Sequence, residues 1–157
     1  MILGGEKMKI SLKINPKYEI PEIHICNSEN NAEIRKLYHT VKEAVEESLI
    51  VYQGKEAVSI LCRDVIRIFS ANKMVYLETV DGQFRIKERL YEMEEKLDKT
   101  RFVRISNSEI VNLRKIKRMD TSVTGTIKMY FQNDIETYVS RRYVAKIKAA
   151  FEKNSNN

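Results

Sequence analysis

Cysteine, histidine, proline and glycine are all scarce in this chain. Its 157 residues contain two, two, two and five of them. Cys26 and Cys62 stand far apart, with no CxxC pair and no neighbouring histidine pair, so the four clustered ligands of a structural zinc site are missing. In a reducing compartment the two read as separate buried thiols rather than as a disulfide. His24 and His39 have no Ser, Cys or carboxylate motif around them that would make a nucleophile system. The glycines lie in the N-terminal tail or in isolated turns at Gly54, Gly82 and Gly125, which excludes a glycine-rich phosphate loop. Glu92, Glu94 and Glu95 cluster, but their spacing fits a solvated helix face. No enzyme, cofactor, metal or small-molecule substrate is expected. Apolar runs are only a few residues long, far below the roughly 20 needed to span a bilayer. The first residues, MILGGEK, are too short and too polar for a secretory signal. The expected compartment is the cytoplasm, with Met8 as a natural start.

What the chain does have is unevenly placed positive charge. Residues 1–100 carry 16 Lys/Arg against 17 Asp/Glu, whereas residues 101–157 carry 12 against 5. The whole excess of +6 therefore resides in the last third, and a polyanionic partner is expected.

Two unequal parts are expected. Residues 1–49 read as a small ββα segment for dimerisation or partner docking. MKISLKIN (8–15) and EIHIC (22–26) alternate like half-buried strands, with Pro16 and Pro21 bracketing a turn. Residues 28–49 then place Ile34, Leu37, Val41, Val45 and Leu49 on one helical stripe, and Asn30 with Glu33 has capping-box spacing. Residues 50–152 read as mostly strand, with candidates at 49–52, 56–61, 65–70, 74–80, 83–87, 102–106, 109–113, 116–120, 126–131 and 135–140. Gly54 and Asp81-Gly82 mark tight turns. A helix interrupts at 86–100, its inner face formed by Ile86, Leu90, Met93 and Leu97. A last helix is expected from Arg141 to Glu152, and residues 153–157 as a disordered tail. The fold class is thus mainly β with short helices, α+β overall.

Within the basic third, alternating apolar residues are interleaved with Arg, Lys, Asn and Ser. Such a face serves solubility alone in many proteins. Here, however, the basic residues are concentrated, and Arg141 and Arg142 follow an N-cap candidate, Ser140, at the positive end of a helix dipole. A phosphate at that end would turn the repulsion into attraction. Ser106, Asn107 and Ser108 form a polar gap between two apolar strands. Tyr130, Phe131 and Tyr138 could serve single-stranded RNA, but core packing explains them more simply. An interaction module for an acidic protein or an anionic membrane is the alternative to nucleic acid.

Phe102, Arg104, Ser108, Val111-Asn112, Lys115-Ile116 and Ser140-Arg141-Arg142, in that order, resemble the LytTR-type DNA-binding domains of bacterial response regulators. DVIRIFSANKMVYLETVDG (64–82) is similar to the family's opening strands and hairpin, and the resemblance covers about residues 50–152. Two positions depart from the pattern: Ser106 stands where a His is usual, and Asn107 where a basic residue is common. The resemblance implies an elongated, strand-rich, sequence-specific transcriptional regulator that lays loops into successive major grooves of double-stranded DNA. Carried over, it makes Asn107, Arg142, Asn72 and Lys73 base-contacting. Arg104, Ser106, Ser108, Ser140, Arg141 and Lys146 become phosphate-contacting. It further implies a homodimer and, for stand-alone members, a membrane-protein regulator. A phosphoacceptor receiver does not fit into 49 residues.

Overall fold

The computed structural model describes residues 8–18 and 21–155, and the chain divides into two compact units between Val45 and Glu46. That division falls just before the boundary expected from the sequence.

In the first unit the described residues hold one helix, α1 (Ala32–Ala44), and no strand. The two strands expected at 8–15 and 22–26 are therefore not formed. Ile10 is 94% exposed and Ile14 86%, so the alternation has no apolar surface to face. A two-stranded hairpin without such a surface is marginal in water. The cap of α1 is Asn31 rather than Asn30, its Oδ1 accepting from Ile34 N at 3.0 Å. Ile34, Leu37 and Val41 are half-buried as a stripe, but Val45 is exposed and Leu49 belongs to the next strand.

The second unit is built on a seven-stranded antiparallel sheet. In chain order its strands are β1 (Ser48–Gln53), β2 (Glu56–Leu61), β3 (Arg67–Ala71), β4 (Met74–Thr79), β5 (Gly82–Ile86), β6 (Phe102–Ser106) and β7 (Glu109–Asn112). Their spatial order is β2-β1-β5-β4-β3-β7-β6. A second sheet, β10-β9-β8, comprises β8 (Arg118–Asp120), β9 (Ile127–Tyr130) and β10 (Glu136–Val139). The mainly β expectation with short helices holds, and most strands fall where alternation placed them.

Two apolar clusters fix the unit. One gathers Val51, Ile68, Leu77, Phe102 and Ile110 under helix α2 (Leu90–Lys96), which contributes Leu90 and Met93. The other gathers Ile66, Val103, Ile105, Val111, Ile127, Met129 and Val139 with Ile147 of helix α3 (Val144–Ser155). α2 is shorter than the periodicity suggested because Ile86 ends β5 and Asp98 caps a turn, accepting from Thr100 N at 2.8 Å. α3 starts later than expected, after a 3-10 turn at Arg141–Tyr143, and runs on through Ser155. Residues 153–155, expected in the tail, thus continue the helix, and residues 156–157 lie outside the described residues. Phe131 is core, but Tyr138, also expected there, is 53% exposed. Cys62 is buried, whereas Cys26, expected to be buried, is exposed; both are free thiols.

A charged layer ties the sheets together. Arg67 on β3 donates from Nε to Glu78 of β4 at 2.5 Å and from Nη1 to Glu109 of β7 at 3.0 Å. Thr137 of β10 donates to the second Glu109 oxygen at 2.6 Å. Asn112, part of the motif quoted above, is a buried staple. Its amide donates to Val65 O at 2.8 Å, and its Oδ1 accepts from Arg114 N at 3.0 Å.

Candidate nucleic-acid interface

Three loops meet at one end of the larger sheet, two of them because the strands feeding them are neighbours. β3 pairs with β7 antiparallel, Phe69 opposite Glu109, and Ser70 N donates to Ser108 O at 2.8 Å. The β3–β4 turn (Asn72-Lys73) therefore lies beside the β6–β7 loop (Asn107-Ser108). Ser140 N donates to Ile105 O at 2.9 Å, which brings in the segment leading to α3.

The Asn72-Lys73 turn has φ of +51° and +64° at its two central residues, the geometry of a type I′ hairpin turn. Asn tolerates this region, but glycine is favoured at the second place and a Lys there is strained. No partner is found for either side chain among the described residues, and both residues are exposed.

The β6–β7 loop is more ordered than its polar sequence suggested. A register irregularity between Arg104 and Ser106 sets Ser106 opposite Glu109. Ser106 Oγ accepts from Ser108 N at 3.1 Å and meets Ser108 Oγ at 3.3 Å. Arg104 then holds the loop from below. Its Nε donates to Ser106 O at 2.8 Å, its Nη2 to Asn107 O at 2.5 Å and its Nη1 to Glu94 at 2.8 Å. With only 13% of its side chain exposed and a hydrogen bond from each of its three guanidinium nitrogens, Arg104 braces the loop.

Asn107 and Arg142, 35 residues apart in sequence, are brought into contact. Arg142 Nη2 donates to Asn107 Oδ1 at 3.0 Å, and the hydroxyl of Tyr143 donates to the same oxygen at 3.2 Å. The amide nitrogen of Asn107 has no partner among the described residues and can donate outward. Arg141 lies against Gly125, where φ is +80° and an added Cβ would stand 3.5 Å from Arg141 Nε. Ser140 makes no side-chain cap, so its hydroxyl remains exposed beside the two arginines. Lys146, in the first turn of α3, reaches Glu94 at 3.4 Å. Burial tends to raise the Glu94 carboxyl. Hydrogen bonds from Arg104 and Lys146 outweigh it and hold the group below the ordinary carboxylate range.

Several residues here were not singled out in the sequence. Tyr143 reads as one more apolar helix residue. Glu94 reads as solvated face, although it links α2 to both β6 and α3. Arg85, Lys87 and Arg89 line a groove of about 390 Å³ with Lys73. A charge tally over the first 100 residues hides these three; the local tally of 85–89, with Glu88 alone opposing them, would have found them.

The strand-built unit presents Asn, Ser, Arg and Lys from three adjoining segments at one end of its larger sheet. Among the described residues of 46–155, no two consecutive α-helices are joined by a short turn. The chain belongs to the LytTr DNA-binding domain family, whose model matches residues 55–152. It is 37% identical over 142 residues to an HTH-type transcriptional regulator of Staphylococcus aureus strain MSSA476, covering 90% of this chain and 96% of the relative. A counterpart in strain MRSA252 is 35% identical over the same length. In fold it is similar to the LytTr DNA-binding domain of a methyl-accepting/DNA response regulator from Bacillus cereus. That likeness has a TM-score of 0.65 and 21% identity, and covers 68% of this chain and 97% of the other.

Proposed function

We propose that this protein is a sequence-specific DNA-binding transcriptional regulator that reads the major groove through loops. The observation that carries the reading is the meeting of Asn107 with Arg142 on the exposed edge of the basic third. Asn and Arg are the side chains best suited to adenine and guanine edges, each good pair contributing about 1–3 kcal/mol of discrimination. In the free protein Asn107 Oδ1 is occupied by two donors, so Arg142 must turn away from it to reach a guanine. Asn107 then regains the acceptor that adenine requires. Asn72 and Lys73 form the second insertion. Ser106, Ser108, Ser140, Arg141 and Lys146 surround the readers as phosphate contacts, with Arg104 bracing from behind. The groove at Lys73, Arg85, Lys87 and Arg89 extends the same surface along the backbone.

Family membership and the relatives' names support regulation of transcription, and hence a cytoplasmic setting. No helix among the described residues is long and apolar enough to cross a membrane. We assign the first unit, residues 1–45, to homodimerisation or to docking a membrane-protein regulator. Its exposed Ile10, Leu12 and Ile14 support this.

Selection of bound duplexes from a random pool tests the reading. The protein should enrich one sequence, with affinity falling steeply as salt rises. Asn107→Ala and Arg142→Ala should flatten the preference, whereas Lys146→Ala should weaken all duplexes about equally. Indifference to sequence in the starting protein would sink the assignment.

A further inference from the structure

An acidic side chain sits within the surface assigned above to DNA. Glu94 lies on α2, one third exposed, between Arg104 and Lys146. A carboxylate there repels phosphates and should weaken binding to any duplex. Its geometry gives it a different use.

We propose that Glu94 is a positioning residue for sequence discrimination; the inference rests on the reading of Asn107 and Arg142 above. Arg104 offers a rigid, planar fork with donors in three directions. Two of them hold the carbonyls of Ser106 and Asn107, and the third is held by Glu94 at 2.8 Å. Glu94 is thus the fixed post against which Arg104 clamps the reading loop. Its other oxygen takes Lys146 of α3 at 3.4 Å, so the post also ties the loop to the helix that follows Arg142. Without the charge, the third anchor of Arg104 falls from a charge-assisted bond to a neutral one and holds the fork less firmly. The carboxylate lowers affinity for DNA in general and raises the preference for the right sequence.

This sets two effects of opposite sign in one variant. Glu94→Gln keeps shape and removes charge. Binding is measured to the duplex that emerges from random-pool selection and to a shuffled duplex of equal length. The shuffled duplex should bind the variant at least as tightly as it binds the unaltered protein. The selected duplex should bind more weakly, and the ratio of the two affinities should fall about tenfold, the scale of one base contact. Arg104→Lys, which keeps the charge but not the fork, should lower the ratio in the same way. A general loss of folding would weaken both duplexes in proportion and leave the ratio intact. A protein blind to sequence before any substitution overturns the functional reading. A selective protein whose Glu94→Gln and Arg104→Lys variants stay equally selective overturns the clamp alone.

Discussion

Lys73 occupies a place where the backbone favours glycine. With φ at +64°, a non-glycine residue costs roughly 1 kcal/mol. Lys73→Gly should therefore raise stability by about 0.5–1 kcal/mol. The same change should weaken DNA binding, because the side chain belongs to the proposed second insertion. A urea midpoint that rises together with a weaker duplex titration checks both halves. Glu94 carries a pH signature. Its folded value lies below its ordinary 4.5, so its contribution to stability is full above that pH and is lost as pH falls through the depressed value. The melting temperatures of the unaltered protein and Glu94→Gln should thus differ at neutral pH and converge in acid. Cys62 is pushed up to about 11, first by burial and then by Glu47, Glu46 and Asp98, with Arg101 opposing. At pH 8, iodoacetamide should modify Cys26 alone, and Cys62 only after unfolding; peptide mass mapping reads this directly.

At the level of elements, the charged layer is the joint between the two sheets. Arg67 neutralises Glu78 and Glu109 at a site where its own side chain is 20% exposed. Arg67→Met leaves two carboxylates facing one another without a cation, and removing one member of a buried pair costs about 3–5 kcal/mol. Urea unfolding of the variant should show that loss. The strands themselves were largely legible, since EAVSIL and FVRIS alternate and their cores prefer β-branched residues. Helix ends were less so. A stripe of Ile86, Leu90, Met93 and Leu97 satisfies helical spacing, yet Ile86 is claimed by its ladder partner Val75. Leu49 was lost to α1 likewise, through its pairing with Ile60. Long-range pairing overrode local periodicity in both places.

On the scale of the whole molecule, the buried core lies in the second unit. The fragment 46–157 should fold alone and melt cooperatively at close to the temperature of the full chain, as circular dichroism would report. A large drop in that temperature would show that residues 1–45 stabilise the core. The candidate site was half visible from sequence. Asn107 and Arg142 could be picked out from residue type and family pattern, because recognition draws on few kinds of side chain. Their contact, the brace of Arg104 and the part played by Glu94 could not. These depend on which strands neighbour one another, and no spacing along the chain encodes that.

The irregularity in β6 limits how this surface can diversify. Between Arg104 and Ser106 the register already shifts, while Ile105 stays in the core on the face it shares with Val103. One residue more or less in this stretch would reverse inside and outside for everything up to Ser108. New binding preferences are therefore open to letter changes at 106 and 107. Changes of loop length are closed. A lineage of such regulators should drift in spelling here and stay constant in count.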